Sequence, residues 1–301
     1  MSSPARDEPV VGPRFEQFPR YWAELQGGLE LRFDDVFLWN CRGDIWAMAP
    51  DGCTTVQLPG SPHVIGHNED GDPDFAGHCA LAHVASEGGN AFTAFVYPGS
   101  LPGHTFAVTS RGLVQTVNNI RPLAGGAGTP RMVLARAMLD APGLDAALAL
   151  LRSAPRAGAF HLTLAQAGDE RLLSVEFTAQ ALSADRVEAA RVHSNHLIHA
   201  DTGRMSQIVT GSSGVRQRRG EALLDQAPQS EPQSRALGIL WDAADQELPI
   251  YRTDPADSDV ENTLASAVFR VGADKVEWAV YDATHEAARF EMRDRLVPVA
   301  T

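Results

Sequence analysis

Cys53 stands between Gly52 and the pair Thr54-Thr55, at the head of a run that alternates small or polar with apolar residues. Such alternation marks a strand, so the thiol is expected at a strand start. Asp70 follows 17 residues later in Ile65-Gly66-His67-Asn68-Glu69-Asp70. Asn118-Asn119 closes the apolar run 113–117, and Asn195 sits in Ser194-Asn195-His196. Ser213-x-x-Arg216-x-x-Arg219 then precedes Leu223-Leu224. A thiol can attack a carbonyl, a carboxylate can orient a base, and amides and cations can hold developing negative charge. Singly, each has a plainer explanation. A lone cysteine is usually a small buried hydrophobe, asparagine makes turns, and Ser213 is an adequate helix cap.

Other chemistries fit less well. The acidic run Asn68-Glu69-Asp70-Gly71-Asp72-Pro73-Asp74, flanked by His67 and His78, invites a metal. A calcium loop needs glycine at its sixth position and glutamate at its twelfth. Counting from Asn68 gives Pro73 and Cys79, and counting from Asp70 gives Phe75 and Leu81. Zinc from His67, His78 or His83 lacks a known spacing. The run is therefore read as a solvated acidic loop carrying one functional carboxylate, and no metal or other cofactor is assigned. Gly125-Gly126-Ala127-Gly128 lacks the lysine of a phosphate-binding loop, and no Gly-x-Ser-x-Gly elbow occurs.

The elements that must position these residues follow from periodicity. Residues 15–25 approach helical spacing, and 33–39 and 44–48 are short apolar runs. After the Pro50-Asp51-Gly52 turn signal, strands are expected at 54–58, 64–68, 79–85, 91–97, 105–109 and 113–117. Helices are expected at 130–139 and 144–151, separated by Pro142-Gly143. Strands resume at 161–165, 172–178 and 187–192. Helices at 213–224 and 234–244 and strands at 264–271 and 276–281 complete the chain. This order suits an α+β fold in which mostly antiparallel sheets are layered between helices.

Taken in order, the motifs resemble one family. Gly-Cys-Thr-Thr, Gly-x-Asn-x-Asp, a strand ending in asparagine, Ser-Asn-His and Ser-x-x-Arg-x-x-Arg are similar to the acyl-coenzyme A:6-aminopenicillanic acid acyltransferase family of cysteine N-terminal-nucleophile hydrolases. Choloylglycine hydrolases and penicillin V acylases are more distantly similar. The resemblance implies a four-layer αββα sandwich and a precursor that cuts itself between Gly52 and Cys53. Residues 15–52 would then be a pre-segment, removed or displaced, and 53–301 the catalytic domain. The freed α-amine of Cys53 would be the base for its own thiol. Asp70 would orient that amine, and the Asn195 side chain with the Asn119 backbone N–H would form the oxyanion hole. Arg216 would be the nearby cation, with Asn118, His67 and His196 around the substrate. The resemblance also implies arginine three residues before the aspartate. This chain has His67, which exchanges a permanent charge for a titrating one.

Composition bounds the rest. The chain of 301 residues is 44% hydrophobic, enough for a sizeable core. A net charge of −13, with Lys275 as the sole lysine, argues against nucleic acid, membrane surfaces and Schiff-base chemistry. Three cysteines are too few for a disulfide framework and favour a reducing compartment, so a cytoplasmic location is expected. Residues 1–14 are expected to be a disordered tail without a signal sequence. The function expected is a self-processing cysteine amidohydrolase or acyltransferase acting on a small-molecule linear amide or thioester. The alternatives are an uncleaved, non-catalytic small-molecule binder of the same fold and a metal hydrolase built on the His67–His78 loop. A homo-oligomer is left open.

Overall fold

The computed structural model describes residues 32–46, 51–85, 89–226, 231–255, 259–283, 285–292 and 296–299. The expected tail and the helix-like stretch 15–25 lie outside these residues. Among these residues, two short helices, α1 (Phe33–Asn40) and α2 (Arg42–Ile45), precede the first strand. Ten strands and two helices follow: β1 (Asp51–Leu58), β2 (His63–Gly71), β3 (Ala80–Ala85), β4 (Ala91–Val96), β5 (Phe106–Thr109), β6 (Leu113–Asn119), α3 (Arg131–Met138), α4 (Leu144–Ser153), β7 (Phe160–Gln166), β8 (Leu172–Phe177), β9 (Leu182–Arg186) and β10 (Arg191–His193). The chain continues through α5 (Gly211–Gln226), α6 (Pro232–Leu240), β11 (Asn262–Val271), β12 (Val276–Asp282), β13 (His285–Met292) and β14 (Leu296–Val299).

The strands form two seven-stranded sheets, ordered β10-β1-β2-β11-β12-β13-β14 and β3-β4-β5-β6-β7-β8-β9. Neighbouring strands within each sheet are antiparallel. Strand alternation decides what each face meets. Val56, Leu58 and Val64 turn outward onto Leu224 of α5 and Ala236, Ile239 and Leu240 of α6. Leu113, Leu162 and Leu173 turn outward from the second sheet onto Met132 and Met138 of α3 and Leu148 and Leu151 of α4. The inner faces meet through Ile65, Phe106, Val114, Phe269 and Trp278. The result is helix, sheet, sheet, helix, the αββα layering expected.

Two expectations change. The expected strand 187–192 is instead mostly the link between β9 and β10, which belong to different sheets. Of its apolar residues only Val187 is buried in the link, while Val192 is buried as part of β10. The acidic run is not a loop until Asp72: His67 to Gly71 continue β2, with Glu69 and Asp70 buried.

Candidate active site

Strands β1 and β2 form a hairpin that sets Cys53 opposite Glu69 and Gly52 opposite Asp70. Because successive side chains alternate, Cys53, Thr55 and Gln57 face the second sheet, while Thr54 and Val56 face α5 and α6. Cys53 is buried, and its sulfur lies 3.6 Å from Glu69 Oε2. Its main chain is held on both sides. The Cys53 N–H donates to Asn195 Oδ1 at 3.0 Å, and the Cys53 carbonyl accepts from Arg216 Nη1 at 2.5 Å.

Arg216 comes from α5 and also donates to Thr54 Oγ1 at 2.8 Å and Asn195 Oδ1 at 2.7 Å. It is fully buried, and desolvation lowers its pKa while the Asp70 carboxylate opposes that change. Asn195 Nδ2 donates to the Asn119 carbonyl at 3.0 Å, and the Asn195 N–H donates to Ser213 Oγ at 3.0 Å. Cys53, Asn119, Asn195 and Arg216 are therefore one connected group, assembled from β1, β6, the segment after β10, and α5.

Asp70 points to the opposite face of β2, where Thr263 Oγ1 donates to its Oδ1 at 2.7 Å. It lies against Gly52, the residue whose carbonyl precedes Cys53. A Cβ at Gly52 would stand 3.2 Å from Asp70 Cβ and 2.1 Å from Glu261 Oε2, so any larger residue would have to displace the Glu261 carboxyl. Glu261 accepts from Arg121 Nη2 at 3.2 Å, yet burial pushes its carboxyl up to about 8, with Asp70 and Asp259 adding to the rise.

The remaining expected residues are spread out. Asn118 faces the sandwich interior, accepting from Thr55 Oγ1 at 2.7 Å and donating to the His193 carbonyl at 3.1 Å. His196 is half-buried against Ser213 Oγ at 2.8 Å, and burial lowers it to about 4. His67 is buried beside Glu69, whereas His78 is exposed in the turn beyond β2, so the structure does not join the two into one site.

Several site residues were not singled out in the sequence. A narrow cavity of only about 10 Å³ lies beside Cys53, lined among others by Arg42, Glu69, Tyr97, Asn119, Arg131 and Phe160. Arg131 donates to Asn119 Oδ1 at 2.5 Å and lies 4.4 Å over the Phe160 ring. Arg42, from the segment ahead of Cys53, stacks 4.2 Å from the Trp39 ring and donates to Tyr97 Oη at 3.3 Å. That segment is anchored by Asn40, which donates to the Gly99 carbonyl and accepts from the Leu101 N–H. Gly43 crosses so close to Arg131 that a Cβ would collide with its guanidinium.

Two triplets, Cys53-His67-Glu69 and Glu176-His193-His199, bring ligand-type atoms within 4.8 Å of one another. Hydrogen bonds already account for them. His193 Nε2 pairs with Glu176 Oε1 at 2.8 Å, and His199 Nε2 meets Ser174 Oγ at 2.9 Å. No residue is assigned to a metal on this geometry.

Known proteins agree with the architecture. The family model for acyl-coenzyme A:6-aminopenicillanic acid acyl-transferase matches residues 58–284. The chain belongs to this family. The matched span holds Asp70, Asn118, Asn119, Asn195 and Arg216 and begins beyond Cys53. A β-alanyl-dopamine/carcinine hydrolase of Drosophila melanogaster is 26% identical over 303 aligned residues, covering 88% of this chain and 77% of that protein. An arginine-to-leucine variant of the conjugated bile acid hydrolase of Clostridium perfringens superposes with a TM-score of 0.55 at 9% identity, covering 83% of this chain and 97% of that one. That likeness establishes the shared N-terminal-nucleophile hydrolase fold. The family places this chain among amide hydrolases and acyltransferases. No helix among the described residues is long and apolar enough to cross a membrane.

Proposed function

We propose that the protein is a self-processing cysteine amidase or acyltransferase. Cys53 becomes an N-terminal nucleophile when the Gly52–Cys53 bond is cut, and residues 15–52 are the displaced pre-segment. The observation that carries this reading is the grip on Cys53: its N–H on Asn195, its carbonyl on Arg216, and its thiol turned to the cavity. A residue held at both main-chain groups keeps its position when the chain on one side of it is lost.

Cleavage turns the amide nitrogen of Cys53 into an amine with an ordinary pKa near ~8, which can take the thiol proton at working pH. Asp70 stands opposite Gly52 to orient that amine. The thiolate attacks the amide carbonyl of the substrate. Asn195 Nδ2, which has a second N–H beyond the one on Asn119, supports the oxyanion. Water or an amine then resolves the thioester. Withdrawal of Arg42 would enlarge the cavity for the acyl group. Small N-acyl amines, of the kind that names the Drosophila relative, are the first substrates to test.

The test is intact-mass analysis after incubation with a panel of linear N-acyl amides. A substrate acyl mass should appear on the 53–301 fragment, disappear with hydroxylamine, and be absent from Cys53→Ala. An adduct of the same mass on Cys53→Ala would refute the assignment.

A further inference from the structure

Self-cleavage, on which this inference rests, has a requirement that the amine cannot meet. Before the Gly52–Cys53 bond breaks, the Cys53 nitrogen is an amide and too weak a base for the thiol proton. Another group must take it at that stage.

Glu69 lies across from Cys53 in the hairpin, with Oε2 at 3.6 Å from the sulfur. Its carboxyl is nearly fully buried. Oε1 accepts from Tyr97 Oη at 3.4 Å, and Oε2 lies 3.2 Å from His67 Nε2. The bonds behind His67 determine where its protons sit. Asn118 donates through Nδ2 to the His193 carbonyl, so its Oδ1 faces Thr55 as an acceptor. The Thr55 hydroxyl gives its proton to that oxygen and must therefore accept from His67 Nδ1, 2.8 Å away. His67 thus carries a proton on Nδ1. Burial lowers its pKa to about 3, favouring the neutral ring. Its Nε2 lies against Glu69 Oε2, which is itself beside the sulfur.

We propose that Glu69, backed by His67, takes the Cys53 thiol proton during self-cleavage and returns it to the Cys53 nitrogen. The sulfur bonds to the Gly52 carbonyl carbon as its proton passes to the Glu69 carboxylate. The carbon–nitrogen bond then breaks, and Glu69 delivers that proton to the leaving nitrogen, completing the amine. Gly52 is left as a thioester on Cys53. Water hydrolyses it to a Gly52 carboxylate and a free thiol, with no change of oxidation state. Glu69 is the catalytic residue of this step and His67 its positioning partner.

The test follows full-length chains made by cell-free synthesis, timing the fragment that begins at Cys53 by denaturing mass spectrometry. Glu69→Gln should slow cleavage at least ~100-fold, the lower end for general acid–base catalysis, while keeping a cooperative thermal melt. Glu69→Ala should be slow and should recover with added sodium formate, a carboxylate small enough for the vacated space. This rescue would separate proton transfer from packing and would serve if Glu69→Gln failed to fold. Cleavage of either variant at the wild-type rate would overturn the role of Glu69 while leaving self-cleavage standing. A folded Glu69→Ala that stays slow in formate would also overturn it. A wild-type chain that is never cut would defeat self-cleavage itself.

Discussion

Asn195 joins the main chain of Cys53, the proposed nucleophile, to the end of β6. Its Oδ1 takes the Cys53 N–H and an Arg216 N–H, and its Nδ2 reaches the Asn119 carbonyl. These bonds fix which end of the amide faces the substrate. Asn195→Ala in processed protein should lower kcat by about 10²–10³, since one oxyanion donor is typically worth ~3 kcal/mol, with KM little changed. Steady-state kinetics decide, and a change confined to KM would remove Asn195 from the oxyanion hole. Glu69 shows what residue type alone could not reveal. In the sequence it is one carboxylate in an acidic run. A hairpin folded about Pro59-Gly60-Ser61-Pro62 would have placed it across from Cys53, because those residues centre the pairing of 53 with 69 and 58 with 64.

At the scale of elements, most strands and helices were legible because their patterning is local. Helix α3 begins just after Pro130 as expected, and β6 carries its asparagine pair at its end. Failures came where the apolar alternation is weak. Strands β13 and β14 were missed: His285 to Met292 mixes Glu286, Arg289 and Glu291 with apolar residues without regular alternation, although it pairs with β12 in a tight hairpin. The link 187–190 read as strand because Val187 and Val192 bracket small residues, yet only the end of the run, Arg191 and Val192, joins β10. Helix α6 supplies a contrast within one element. A Cβ at Gly66 would stand 3.0 Å from both Ala236 Cβ and Leu240 Cδ1, so Gly66→Ala should push α6 from β2 and cost about 1–3 kcal/mol. Gly238, on α6 itself, has nothing within 4 Å of its absent Cβ, so Gly238→Ala should stabilise by about 0.5–1 kcal/mol. Urea unfolding of both variants checks the pair, and shifts of the same sign would contradict this packing.

Across the whole molecule, the sandwich interior is divided. One part is the apolar core around Phe106, Phe269 and Trp278, and the other is a polar region of Thr55, Gln57, His67, Asn118, His161 and Thr163 beneath Cys53. Such an interior makes stability depend on pH. Glu261, ordinarily near 4.5, rises to about 8 on folding, chiefly by burial. The native state therefore holds more protons than the unfolded chain between these values, and Glu261's contribution to stability is lost as pH rises from about 4.5 to 8. Urea midpoints at pH 5 and pH 8 should fall less for Glu261→Gln than for wild type, and an equal fall would exclude this source. The segment ahead of Cys53 belongs to the same whole. Arg42 lines the cavity and Gly43 and Asp44 pack against Arg131, so the proposed cleavage would free the Cys53 amine and, with withdrawal of this segment, open the cavity. Denaturing mass spectrometry of purified wild-type and Cys53→Ala protein tests that bond most directly. The account predicts a wild-type fragment whose first residue is Cys53 and an uncut Cys53→Ala chain. A wild-type chain intact across Gly52–Cys53 that still turns over amides would contradict it.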